Sequence, residues 1–194
     1  MAKNLESDYN PRLTVPDFPQ IMARWTAASE AARDAGNCYL DVPYGASEAE
    51  KLDIFRAAGE SRALMMFIHG GYWRMLDKRD HSFVAPAFTR AGVTVAVPNY
   101  ALCPTVTVEE IVRQMVRATA WLYRNGGNFG APYHKVYVVG HSAGGHLTAM
   151  MLAAIWPAFA PDLPARTVEA GFSISGVFDI APIMQVPTVQ ADVR

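Results

Sequence analysis

Two short runs hold residue types that can do covalent chemistry on a carbonyl group. The first is Gly140, His141, Ser142, Ala143 and Gly144, a G-x-S-x-G pattern with Ser142 as the candidate nucleophile. A serine at a sharp strand-to-helix turn points its oxygen out of a sheet, and glycines two before and two after let the backbones pass closely. The apolar run 136–139 leads straight into the pattern, and a stretch rich in small residues follows it. A helix starting there aims its positive end at the site and favours developing negative charge. The plain alternative is a glycine-rich turn with an idle serine, which leaves the flanking strand and helix patterns as coincidence.

The second run is His69, Gly70, Gly71, Tyr72 and Trp73, directly after the apolar run 64–68 and upstream of the serine. Two glycines in such a loop leave their N–H groups free to face a tetrahedral oxyanion. The N–H of Ala143 joins Gly70 and Gly71 as the third donor of this oxyanion hole. One such donor contributes roughly 2.7–4 kcal/mol to the transition state. His69 reads as an organiser of the loop rather than the general base, because the loop's task is to present N–H groups. Tyr72 and Trp73 are the candidate substrate-pocket residues, with Trp73 also read as a packing anchor at the mouth.

HGGYW followed downstream by GHSAGG resembles the hormone-sensitive-lipase-like branch of the α/β-hydrolase superfamily. The front of the chain narrows the resemblance. Tyr9-Asn10-Pro11-Arg12, Val15-Pro16, Trp25, Tyr44-Gly45 and Leu52-Asp53-Ile54 look like the arylformamidase (kynurenine formamidase) group and its esterase relatives. This resemblance implies a Ser–His–Asp triad, no metal, no cofactor, and hydrolysis of a small carboxylic ester or aryl formamide. In this fold the triad follows the order Ser, Asp or Glu, His. After Ser142 the only histidine is His146, four residues into the helix that the serine begins, where its side chain cannot easily reach round to the serine proton. His81 and His134 are expected at the surface or a strand edge, and His141 at the elbow's variable position. Asp179 follows the run 170–174 and is expected to cap a helix. The family's last two strands, which carry the acid and the histidine, have no counterpart after Arg194. The expectation is therefore a C-terminally truncated chain: a gene fragment, a frameshifted reading, or half of a split protein. A competing reading is a non-catalytic fragment or pseudoenzyme that keeps only the binding pocket.

These residues need a scaffold to hold them. The segment 16–20 looks like a helix start, with Asp17 as cap, Pro19 in the first turn and Gln20 placed to reach back. Ile21, Trp25, Ala28 and Ala32 then recur at helical spacing as far as Gly36. Strands are expected over 39–42, 52–55, 64–68, 93–97, 136–139 and 170–174. Helices are expected over 80–90, 108–123 and 142–155. From residue 63 onward strands alternate with helices, which predicts an α/β-hydrolase fold with a mostly parallel sheet and helices on both faces. Residues 1–36 read as an N-terminal cap segment with one helix, and 37–194 as an incomplete core lacking the last two strands. The run 170–174 is apolar on both faces yet would form the sheet edge, so poor solubility or self-association through this last strand is expected.

The whole-chain balance excludes several other roles. The 194 residues are 51% hydrophobic and 18% charged, a globular composition. Lysine plus arginine number 17 against 18 for aspartate plus glutamate, so no field of one sign favours nucleic acid or an acidic membrane. No apolar run is long enough to span a bilayer, and the N-terminus carries no secretory signal. Cys38 and Cys103 read as two reduced thiols. The expected setting is cytoplasmic, and the expected partner is a small-molecule ester or amide.

Overall fold

The computed structural model describes residues 5–132 and 136–193. Six strands form one sheet: β1 (Cys38–Pro43), β2 (Lys51–Phe55), β3 (Ala63–Ile68), β4 (Val93–Pro98), β5 (Val136–His141) and β6 (Val168–Ile174), in the order β1-β2-β4-β3-β5-β6. Strands β4, β3, β5 and β6 are mutually parallel, and β1 and β2 add to the β4 edge as an antiparallel pair. The helices are α1 (Leu5–Tyr9), α2 (Pro11–Thr14), α3 (Phe18–Asp34), α4 (Ala85–Arg90), α5 (Val108–Asn125), α6 (Ala143–Ala153), α7 (Trp156–Phe159), α8 (Ile180–Ile183) and α9 (Pro187–Gln190).

Strand β3 is a near-continuous apolar run because both of its faces are covered. Successive side chains of a strand point to opposite faces, and here they divide between two cores. Leu64, Met66 and Ile68 pack with Ile111 and Met115 of α5 and Leu147 and Met151 of α6. Met65 and Phe67 pack on the other face with Ala32 of α3 and Ala85 of α4. The expected helices therefore cover both faces. Helix α5 is the clearest, with Ile111, Met115, Ala118 and Leu122 buried along one side and the Thr107 hydroxyl accepting from Glu110 N–H at its start.

The expected helix over 80–90 forms in two pieces. A 3₁₀ segment, Lys78–Val84, precedes α4, and Asp77 and Asp80 cap it reciprocally. Pro86 in the first turn of α4 lacks an N–H and crowds the carbonyl four residues back, so an unbroken α-helix cannot run through it. Helix α3 starts after Asp17 as expected, but the Asp17 side chain makes no capping bond. The face of α3 turned inward carries Ser29 and Ala32, while Ala28 is exposed. Ser29 is used there as an acceptor, taking the N–H of Phe83 at 3.0 Å.

Strand order places the site. The chain passes from β3 to β4 on one side, then returns to lay β5 on the other side of β3. Such a switch point opens a crevice at the carboxyl ends of the two strands. Those ends are Ile68, which leads into the loop 69–73, and His141, which leads into Ser142.

Candidate active site

Ser142 sits between the end of β5 and the first residue of α6 at φ 56° and ψ −117°. A positive φ costs a non-glycine residue about 1–3 kcal/mol and persists only where the surroundings hold it. Here Ser142 N–H donates to Ile174 O at 2.8 Å, and Ser142 O accepts from Gly145 N–H at 2.8 Å. The pattern glycines are steric necessities. A Cβ on Gly140 would lie 2.1 Å from Gly144 O, and one on Gly144 would lie 2.1 Å from Ile68 O. The elbow thus presses directly on β3 and the start of the neighbouring loop.

That loop lies against the serine. A Cβ on Gly70 would meet Ser142 Cβ at 3.1 Å and His141 O at 2.8 Å. Gly71, Tyr72 and Trp73 follow with φ of 104°, 50° and 57°. Behind the loop, the fully buried His69 ring stacks on Tyr100 with centroids 4.2 Å apart and an 8° angle between planes. His69 Nδ1 lies 2.8 Å from Gly70 O; a carbonyl oxygen only accepts, so Nδ1 carries the proton. The Tyr100 hydroxyl donates to His69 O at 2.9 Å, with Gly70 O at 3.3 Å. In a trans peptide the C=O and the following N–H point in opposite directions. Pinning the carbonyls of His69 and Gly70 to the rear therefore turns the N–H groups of Gly70 and Gly71 forward. The Ala143 N–H, at the first turn of α6, has no acceptor within its own helix. His69 occupies the organising position read from the sequence, and burial lowers its pKa, favouring the neutral ring.

The other histidines fall elsewhere. His81 is not at the surface, as expected, but 1% exposed. The 3₁₀ segment folds it under α3, between the rings of Trp25 at 5.8 Å, Phe67 at 5.9 Å and His69 at 5.7 Å. Burial pushes its pKa down to about 3. His146 meets the wholly buried Trp73 ring edge-on at 5.3 Å. Half-buried His141 stands beside Ser142 in the cavity wall, and burial lowers its pKa. His134 lies outside the described residues. Asp179 holds the N-cap position of α8 without a side-chain capping bond. Cys38 and Cys103 are not joined in a disulfide. Among the described residues, no cluster of three or more His, Cys, Asp or Glu side chains could hold a metal ion. No helix of the described residues is long and apolar enough to cross a membrane.

A cavity of about 500 Å³ opens over Ser142. Tyr72 lines it, with its hydroxyl donating to Tyr9 O at 2.6 Å, so the loop is tied to the end of α1. Trp73 does not line it: the ring is wholly buried in the core against α6, which corrects the expectation of a pocket role. The apolar wall comes instead from Phe18, Ile21 and Trp25 of α3, together with Leu76. Sequence reasoning treated Ile21 and Trp25 as a packing face; their spacing revealed the face but not that a cavity lay under it. Thr188 and Val189 of α9 close another side. Glu6 of α1 accepts from the Thr188 hydroxyl at 3.0 Å, and Arg74 pairs with Asp192 at 2.8 Å, so both ends of the described chain meet over the site.

Comparison with known proteins agrees with this fold. A family model described as alpha/beta hydrolase fold matches residues 65–190. Kynurenine formamidase of Salmo salar is 32% identical over 183 residues, covering 92% of this chain and 59% of the fish protein. Kynurenine formamidase of Danio rerio is 30% identical over 181 residues, again 92% of this chain and 59% of the relative. The chain thus spans about three-fifths of the length of these curated relatives. A crystallised protein of Silicibacter sp. TM1040, assigned provisionally as a thioesterase, superposes with a TM-score of 0.83 at 30% identity, over 96% of this chain and 69% of that one.

Proposed function

Because the chain belongs to the α/β-hydrolase fold family, we propose that it is a serine hydrolase acting on a small carboxylic ester or an aryl formamide. The observation that carries this reading is Ser142 itself, held at positive φ on a strand-to-helix turn and open to the cavity. Ser142 Oγ attacks the carbonyl carbon and its proton passes to a base. The carbonyl electrons move onto oxygen, where the N–H groups of Gly70, Gly71 and Ala143 receive the negative charge. Collapse expels the alcohol or arylamine and leaves an acyl- or formyl-serine, which water then hydrolyses. His69 directs Nδ1 at Gly70 O with Nε2 beside Asn99 Oδ1, and the buried His81 directs Nδ1 at Asp77 O. His146 faces Trp73, so none of the three is assigned as the base. The binding-module alternative is less well supported, since the similar proteins include formamidases and, at 29% identity over 85% of this chain and 45% of its own length, an esterase of Mycobacterium tuberculosis. The aryl formamide side of the proposal leans on the formamidases, and on an aromatic cavity wall suited to an aryl group. We further place the protein in a reducing cytoplasm, where its two thiols stay reduced.

The test uses a fluorophosphonate probe, 4-nitrophenyl acetate and a formyl anilide on the wild type and Ser142→Ala. Labelling and hydrolysis should occur in the wild type and vanish in the variant. Equal rates for the two proteins would overturn the assignment.

A further inference from the structure

The run Tyr9-Asn10-Pro11-Arg12 plays no part in the chemistry above, yet all four residues line the cavity over Ser142. Resting on that reading of the site, we propose that Arg12 binds a carboxylate of the substrate, which makes the substrate class an anionic ester or amide with an apolar body.

Local structure fixes where Arg12 stands. Asn10 Oδ1 accepts from Arg12 N–H at 3.2 Å and caps α2, while Pro11 supplies its first turn. The Asn10 amide donates to Glu6 Oε1 at 2.7 Å, which ties this turn to α1. From there the guanidinium lies over the Phe18 ring, 5.7 Å from its centroid, and one N–H reaches Met75 Sδ at 3.4 Å. A thioether is a weak acceptor, and a guanidinium carries five donors in a planar fork. Arg12 therefore holds most of its hydrogen-bonding capacity in reserve at the exposed mouth of the cavity.

Among the described residues, the surrounding charges leave it without a counter-ion. The other guanidinium at the cavity, Arg74, is paired with Asp192 at 2.8 Å. The nearby carboxylate of Glu6 is engaged by Asn10 and by Thr188. Among the described residues, no aspartate or glutamate lines the cavity, and none forms an ion pair with Arg12. A ligand carboxylate would match the guanidinium with two parallel hydrogen bonds. Its apolar body would lie against Phe18, Ile21 and Trp25, with the scissile carbonyl towards Ser142.

The experiment compares mono-4-nitrophenyl glutarate, which carries a free carboxylate, with neutral 4-nitrophenyl pentanoate. The wild type should show kcat/KM about tenfold higher for the anionic ester. Arg12→Gln should reduce that preference to less than about twofold, and Arg12→Lys should restore part of it. A wild type without preference, or a preference that survives Arg12→Gln, overturns the proposal. Binding to Ser142→Ala separates this inference from the proposed reaction, because it needs no turnover. There 4-phenylbutyrate should bind about tenfold more tightly than 4-phenylbutanamide, and only while Arg12 is present. If neither ester is hydrolysed but this difference is seen, the hydrolase reading fails and the carboxylate site stands. If the esters are hydrolysed and the two ligands bind alike, the carboxylate site fails and the hydrolase reading stands.

Discussion

Behind the loop at 69–73, one hydroxyl orients donors that it never touches. Tyr100 is 1% exposed, and its O–H bonds the backbone that carries the Gly70 and Gly71 amides. Tyr100→Phe keeps the stack on His69 and removes only this pin. We expect acylation by 4-nitrophenyl acetate to slow by about tenfold, less than the loss of a whole oxyanion donor. The buried His69 carbonyl left without this partner should also cost about 1–3 kcal/mol in denaturant unfolding, while Gly70 O keeps the His69 Nδ1–H. A variant as fast as the wild type would show that the loop holds its shape without the hydroxyl. Gly70→Ala tests the front of the same loop. Its methyl group would press on His141 O and Ser142 Cβ, so probe labelling should fall steeply.

Between elements, two buried polar groups join α3 to the sheet, and they respond differently. Asp53 of β2 is fully buried and receives Lys78 at 2.8 Å, and it also pairs with Arg33 of α3. Lys78 reaches Asp41 of β1 as well, at 2.7 Å. Lys78→Met leaves Asp53 with Arg33 and the Asp41 N–H as partners, so it should destabilise the fold by less than the about 3–5 kcal/mol that a stranded buried charge costs. Chemical denaturation measures this directly. His81, beneath α3, has the opposite need: it must stay neutral. Its pKa falls from 6.5 to about 3 on folding. Below pH 6.5 the unfolded chain takes up a proton that the folded chain refuses, so stability drops as pH falls towards 3. Above pH 6.5 both states are neutral and the group has no effect. Between pH 6.5 and 4 the loss from His81 alone should approach roughly 3 kcal/mol. His81→Phe should flatten that part of the profile relative to the wild type; parallel profiles would refute the assignment.

For the molecule as a whole, the apolar edge of the described sheet makes a prediction about behaviour in solution. Among the described residues, β6 pairs with β5 and with no other strand. It exposes Phe172 at 66% and Ile174 at 38%, beside Leu152 at 52% and Ile155 at 76%. An apolar edge with unpaired backbone groups is a template for a second strand. We therefore expect sedimentation to show association that increases with protein concentration, weakened in Phe172→Lys. A sharp monomer boundary at high concentration would count against this. The opposite edge differs: β1 carries a register shift between Tyr39 and Val42 and Asp41 at positive φ, features that discourage edge pairing.

By itself, the sequence determined the local features. Glycine spacing around Ser142 specified the turn, because a side chain at Gly140 or Gly144 would collide with backbone. The apolar runs specified the strands, and the 3.6-residue period specified α3 and α5, since each of these signals is carried by neighbouring residues. Only tertiary structure decided which faces and partners those elements found. It buried His81 rather than exposing it, sent Trp73 into the core and left Tyr72 in the cavity. It also formed the cavity wall from α3 and drew Arg12 to its mouth. The physical reason is distance along the chain. A turn is chosen by the sterics of a few adjacent residues. A pocket is chosen by how segments far apart in sequence pack, and no spacing pattern records that.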